Sequence, residues 1–261
     1  MTSPHLDDLA ASFRRHLRAA GKAERTLVLY GQGIRFFGDW LDAQGRPRTL
    51  DQLTRHAIAA WLADLAERVD IETVRTRLRG MRRFCRWLEA EGEVDRAPTT
   101  GVEMPAASEK PVRVISDEEM AALLKVCAVP RGKAGVYDRR IFDGRRDEVL
   151  LRILWDCGLR VSELTGLDVA ALDLERELCY VVGKGDRPRA VPYGARTAQT
   201  VDRYLRLRSA HPYGRRTGRL LLAERGPMSA DGVRWRLEVL GEAAGVKDLH
   251  PHALRHTAAH R

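Results

Sequence analysis

Through roughly the first 90 residues apolar side chains return at every third or fourth position, the period of an amphipathic helix. Leu6, Leu9, Phe13 and Leu17 form one such run, which Gly21 ends. Leu27, Tyr30, Ile34, Phe37 and Leu41 form a second, stopping at Gly45 and Pro47. Ile58, Leu62, Leu65 and Val69 form a third, with Thr54 placed to cap its start. The fourth run carries two stripes. Val74, Leu78, Met81, Cys85 and Leu88 are apolar, while Arg75, Arg79, Arg82 and Arg86 lie one position further round, with no acidic residue from Thr73 to Leu88. One face can pack in a bundle while the next presents cations. An ordinary solvated face mixes signs, so the stripe points to phosphate contact. Trp61, Phe84 and Trp87 read as core aromatics rather than base-stacking platforms.

Periodicity lapses from Arg96 to Arg113, where Pro98, Pro105 and Pro111 stand among small residues, and this predicts an extended linker. It resumes at Ser116-Asp117-Glu118-Glu119, a capping box in which hydroxyl and carboxylate serve free N–H groups. A helix to about residue 128 follows, then a basic segment through Asp143 with no assignable pattern. Leu150, Ile153, Leu154 and Cys157 make the next helix, which runs into Gly158-Leu159-Arg160-Val161-Ser162-Glu163-Leu164, with Ser162 starting a new helical run. After Leu167 the period shortens to two. Leu178, Tyr180 and Val182 alternate, Gly183-Lys184-Gly185-Asp186 supplies a turn, and Ala190-Val191-Pro192 returns, predicting a β-hairpin with a lysine at its tip. Helices are predicted around 197–208 and 229–244, the latter with Val233, Leu237, Leu240 and Ala244 on one face. The final stretch is His250-Pro251-His252-Ala253-Leu254-Arg255-His256-Thr257.

A length of 261 residues accommodates two compact domains. Basic side chains number 45 against 36 acidic, a net charge of +9, and only six are lysines. Arginine-borne charge favours a polyanionic partner rich in phosphate, although a GC-rich coding sequence produces the same bias. Cys85, Cys127, Cys157 and Cys179 are far apart and form no paired ligand motif, so buried free thiols in a reducing compartment are expected. No secretion signal and no run of membrane-spanning length is apparent, which predicts a cytoplasmic protein.

Four groups carry the candidate chemistry. Arg160 stands at a turn beside a helix entrance, where a planar guanidinium suits two oxygens of one phosphate or carboxylate. Lys184 stands on a hairpin tip, and His252 and Arg255 share the last helical stretch. Two arginines can hold the non-bridging oxygens of a phosphodiester and neutralise charge that grows in a pentacoordinate transition state. A lysine can protonate the leaving oxygen, and a histidine can orient the phosphate or move a proton. The arginines supply the positive charge, so no metal or other cofactor is required. Plain alternatives stand beside these: Arg160 as a surface or ion-paired residue, Lys184 as a solvated tip, His252 as a helix cap, and His252, His256 and His260 as a metal site on one helix face.

Taken together, Arg145-Arg146-Asp147, the Gly-Leu-Arg-Val-Ser-Glu-Leu turn, the Gly-Lys-Gly hairpin with Lys184 24 residues after Arg160, and the His-Ala-Leu-Arg-His-Thr box resemble the tyrosine recombinase family of phage integrases and chromosome-dimer resolvases. The resemblance extends over nearly the whole chain. It implies an N-terminal all-α four-helix core-binding (SAM-like) domain at 1–97 and a linker at 98–113. A mainly α catalytic domain with a small antiparallel β-sheet follows at 114–261. It implies catalytic roles for Arg160, Lys184, His252 and Arg255, support from Glu163 and His256, helix packing by Thr257, and DNA contacts by Arg75, Arg79, Arg82, Arg86 and Arg187. It further implies double-stranded DNA at an attachment or recombination site as partner, gripped in a C-shaped clamp, and a homotetramer on two such sites. The implied setting is a bacterial cytoplasm, nucleoid-associated or phage-encoded. In the family a tyrosine well after the His-x-x-Arg box attacks the phosphate and forms a 3′-phosphotyrosyl link. Here the last tyrosine is Tyr213. A truncated chain that binds DNA without cleaving it is therefore expected, with a natural cleavage-dead decoy or regulator as the alternative. A type IB topoisomerase-like enzyme would share the chemistry, but the motif spelling is integrase-like.

Overall fold

Side chains with helical spacing build the first unit. Helix α1 (Leu6–Ala19) buries Leu6, Leu9, Phe13 and Leu17. Helices α2 (Glu24–Ala43), α3 (Arg55–Ala66) and α4 (Ile71–Ala90) complete a four-helix bundle. Thr54 Oγ1 accepts from the Ala57 N–H at 3.1 Å, the cap expected of it. Asp70 performs the same task for α4, accepting from the N–H groups of Glu72 and Thr73 at 3.0 and 3.1 Å. Trp61, Phe84 and Trp87 are core residues, and Trp61 meets Phe37 edge-on at 5.6 Å. Two glycines set how closely α2 and α4 cross. A Cβ on Gly33 would lie 2.8 Å from the Arg77 carbonyl oxygen, and one on Gly80 would lie 3.0 Å from that of Tyr30.

The computed structural model describes residues 3–107, 113–128, 139–183 and 187–261. They fall into two units, Met1–Lys110 and Pro111–Arg261. The stretch expected to be an extended linker is packed on the first unit over much of its length. Ala97 and Thr99 are buried, and Val102 and Met104 lie against the bundle core. Arg55 donates to the Gly101 carbonyl at 3.0 Å, Arg82 to that of Val102 at 2.5 Å, and Arg75 to that of Pro105. Prolines remove donors from such a segment but leave its carbonyls free, and arginines from the bundle take them up. The division between units falls between residues 110 and 111, inside the stretch read as linker.

In the second unit, Ser116 and Glu119 cap α5 (Asp117–Ala128) reciprocally, at 3.0 and 3.2 Å. Helix α6 (Arg139–Cys157) starts before Arg145-Arg146-Asp147 and includes the end of the segment that showed no pattern. Its apolar stripe is interrupted by buried charge. Asp147 is fully buried, with Arg146 donating to one carboxylate oxygen at 2.8 and 3.1 Å and Arg236 to the other at 2.5 and 2.7 Å. Short helix α7 (Val161–Thr165) follows the turn.

Strands β1 (Leu172–Asp173), β2 (Leu178–Val182) and β3 (Pro188–Pro192) form an antiparallel sheet in that order, with Cys179 opposite Val191 and Val181 opposite Arg189. Cys179 and Val181 point inward, while Tyr180 and Val182 face outward. The alternating apolar set seen in the sequence therefore marks mainly the outer face, and β1 is too short to show a period. Helix α8 (Ala195–Arg208) ends on a buried arginine that donates to the carbonyls of Gly214, Thr217, Arg219 and Leu220. A two-strand ladder of β4 (Leu222–Ala223) and β5 (Gly226–Pro227) precedes α9 (Ala230–Ala244) and α10 (Pro251–His260). The four cysteines are buried and form no disulfide, and burial pushes the Cys85 thiol up to about 12. Among the described residues no helix is long and apolar enough to cross a membrane.

Candidate active site

The site begins where α6 must stop. Gly158 has φ 55°, a left-handed conformation that favours glycine, and a Cβ there would lie 3.0 Å from the Ala258 Cβ on α10. The chain can therefore turn sharply against α10. The Gly158 carbonyl accepts a hydrogen bond from Arg255 Nη1 at 2.5 Å, tying the turn to the last helix. Arg160, not Ser162, occupies the N-cap of α7. Its backbone N–H donates to Glu163 Oε2 at 2.8 Å, and its Nη1 donates to Oε1 at 2.9 Å.

Glu163 joins three arginines. Besides Arg160, Arg189 on β3 grips the carboxylate with two parallel bonds of 3.0 and 2.9 Å, and Arg255 Nη1 lies 4.0 Å away. Burial acts to raise the Glu163 pKa, since its side chain is only 5% exposed. Donation by Arg189 and by the backbone and side chain of Arg160 outweighs this and holds it down at about 2. Three guanidiniums surround one carboxylate, so the cluster is left with net positive charge. The Arg255 pKa is lowered, first by burial and then by repulsion from Arg160, which Glu163 partly offsets.

Arg160, His252 and Arg255 line one cleft of about 200 Å³ together with Leu159, Val161, Ser162 and Pro251. The Arg160 side chain is 48% exposed and His252 is exposed, so both can reach a ligand there. The cap of α10 is His250, whose Nδ1 accepts from the Ala253 N–H at 3.1 Å. This leaves His252 free of the capping task. His256 is exposed and stacks on His252, with centroids 5.8 Å apart. Thr257 is buried, accepts from the Ile115 N–H at 2.8 Å and donates to the Ala253 carbonyl at 2.9 Å, which seats α10. Among the described residues no group of three or more His, Cys, Asp or Glu side chains has metal-binding proximity, so the three-histidine metal reading has no cluster to rest on.

Lys184 lies outside the described residues. Gly183 stands next to the cluster, since a Cβ there would meet Arg189 Nη1 at 2.9 Å and Glu163 Oε1 at 4.0 Å. Arg187 is exposed, and its carbonyl accepts from the Gly183 N–H at 2.9 Å. Arg189 was missed in the sequence. The available signal was its strand parity, which it shares with inward-leaning Val191 rather than with the outer face. The basic stripe on α4 divides. Arg75 is 18% exposed and held by Glu72 and Pro105, and Arg82 is held by Val102. These two hold the 102–105 stretch through its carbonyls. Arg79 is exposed though paired with Glu72 at 3.0 Å, and Arg86 is exposed beside Glu89.

Comparison with known proteins identifies the family and the fold. The model of the phage integrase family matches residues 113–261, and that of the phage integrase N-terminal SAM-like domain matches residues 9–92. Tyrosine recombinase XerC of a Mycobacterium species is 30% identical over 251 residues, covering 92% of this chain and 79% of the relative. XerC of Pseudomonas putida is 32% identical over 183 residues, covering 70% of this chain and 57% of the relative, so the match spans little more than half of that protein. The fold is similar to that of a lambda integrase (75–356) dimer bound to a COC′ core site, with a TM-score of 0.75, 16% identity and coverage of 98% of this chain and 89% of that one. A helical SAM-like unit followed by a mainly helical unit with a small antiparallel sheet, and the turn, hairpin and terminal box in their order, place this chain in the phage integrase family of tyrosine recombinases.

Proposed function

We propose that the Arg160–His252–Arg255 cleft holds the scissile phosphate of duplex DNA, and that this 261-residue polypeptide binds duplex without cleaving it. The observation that carries the reading is the convergence of two guanidiniums and an imidazole on one small cleft beside a single, fully engaged carboxylate. Arg160 and Arg255 bind the non-bridging oxygens and stabilise charge as the phosphorus becomes five-coordinate. His252 orients the phosphate or moves a proton, and Lys184 protonates the leaving 5′ oxygen. In the full reaction a tyrosine oxygen attacks phosphorus, and the 3′-phosphotyrosyl link conserves bond energy for rejoining. None of the described residues lining the cleft is a tyrosine. Tyr193 and Tyr204 are buried, and their hydroxyls donate to the carbonyls of Asp173 and Leu220 at 3.0 Å. The solved lambda integrase dimer on its core site supports a DNA-bound assembly, and four copies on two sites is the arrangement this reading expects.

A suicide duplex carrying a nick beside the cleavage point tests both halves. Retarded duplex at low salt with no covalent adduct under denaturing conditions is the expected result. An adduct would sink the claim of no cleavage, and absence of binding would sink the phosphate reading. A second expectation concerns α4. Replacing Arg79 and Arg86 with alanine should reduce the slope of log affinity against log salt by about one unit for each phosphate that is no longer neutralised. An unchanged slope would remove both from the DNA interface.

A further inference from the structure

We infer that Arg189 is a positioning residue that occupies the Glu163 carboxylate and so leaves Arg160 and Arg255 available to phosphate. This rests on the cleft reading above. A carboxylate offers about four acceptor positions. Here four N–H groups fill them: two from Arg189, at 3.0 and 2.9 Å, and two from Arg160, at 2.8 Å from its backbone and 2.9 Å from Nη1. Arg255 stands outside hydrogen-bond reach at 4.0 Å and donates to the Gly158 carbonyl instead. Strand β3 makes this possible by placing Arg189 opposite Val181, on the side of the sheet that leans inward.

Removal of Arg189 opens two acceptor positions on a carboxylate that is 5% exposed. A buried carboxylate short of partners recruits the nearest donors. Those are the remaining N–H groups of Arg160 and the guanidinium of Arg255. Both arginines then turn toward Glu163 and away from the cleft. Arg189 thus acts on phosphate without touching it.

A double-mutant cycle on the 261-residue chain separates this from a merely structural role. The probe is a fluorescein-labelled duplex of random sequence, and affinity is read by anisotropy at fixed salt and pH. Arg160→Ala sets the scale of the cleft contribution. Arg189→Ala is expected to weaken binding roughly tenfold, and Arg189→Lys, which retains the charge but not the fork, roughly threefold. The decisive arm is Glu163→Gln. Its neutral amide keeps one acceptor oxygen and draws the arginines less, so it should improve affinity at least about threefold more in the Arg189→Ala background than in the wild type. Simple addition of charges gives no such coupling, and a structural role predicts that the second lost interaction makes binding worse. Either result overturns the inference, as does wild-type affinity in Arg189→Ala. If wild type binds but Arg160→Ala binds equally well, the cleft reading fails and takes the inference with it. Thermal unfolding of each variant is recorded in parallel. Should Arg189→Ala be unfolded at the assay temperature, the same cycle is run with Arg189→Lys, where the coupling must keep its sign.

Discussion

Asp147→Asn is expected to lower the unfolding free energy by about 3–5 kcal/mol, the cost of removing one partner from a buried ion network. Asp147 has a side-chain exposure of 1%, and both of its oxygens are taken, one by Arg146 and one by Arg236. Burial works against the Arg146 charge, but Asp147 and Asp143 more than offset it, so its pKa stands above the ordinary arginine value. Asparagine keeps the shape and removes the charge, leaving two buried guanidiniums with Asp143 as the remaining carboxylate, 2.8 Å from Arg146. These arginines come from α6 and α9, and Arg146 also reaches the Leu222 carbonyl, so the loss should loosen the second unit as a whole. Urea unfolding followed by far-UV circular dichroism measures the change. A loss below about 1 kcal/mol would show that Asp147 is not the centre of the network.

The second large effect is on acid stability. Glu163 has a folded pKa of about 2 against an ordinary value of 4.5. A carboxyl with a depressed folded pKa contributes stability that is fully present above its unfolded value and is lost as pH falls through the folded one. The window is therefore pH 4.5 down to about 2, and the contribution lost across it is about 3 kcal/mol. Glu163→Gln should remove a similar amount at neutral pH and flatten the stability profile within that window. Urea midpoints of both proteins at pH 6, 4 and 3 provide the comparison. Parallel profiles would mean that another carboxyl governs this range. The same substitution removes a negative charge from among Arg160, Arg189 and Arg255, so the loss of stability comes with a more positive cleft.

Where the sequence was misleading, the physical reasons are specific. The N-terminal half of α6 showed no stripe because Arg146 and Asp147 are buried there as ions, a pattern that apolar periodicity reads as surface. The prolines around 98–105 suggested an extended linker, yet the carbonyls of Gly101, Val102 and Pro105 accept from Arg55, Arg82 and Arg75 on the bundle. The same hydrogen bonds engage Arg75 and Arg82, so a stripe that looked uniform in one dimension is held unevenly along the helix. His250 rather than a site residue took the cap of α10, because capping depends on backbone geometry at the first turn.

What the residues settled by themselves was local. The four-helix register, the Thr54 cap, the Ser116–Glu119 box and the hairpin strands all depend on near neighbours, within a turn of helix or across a short turn, and so are written in spacing. The ordered turn, hairpin and terminal box also pointed to the family. Tertiary structure alone decided which cations meet. Arg189 lies 26 positions from Glu163, and Arg255 lies 97 positions from the carbonyl it holds. No periodicity reaches across such separations. The packing of α10 against the Gly158 turn and the inward lean of β3 bring these groups together, and their shared carboxylate determines which arginines remain open to an anion.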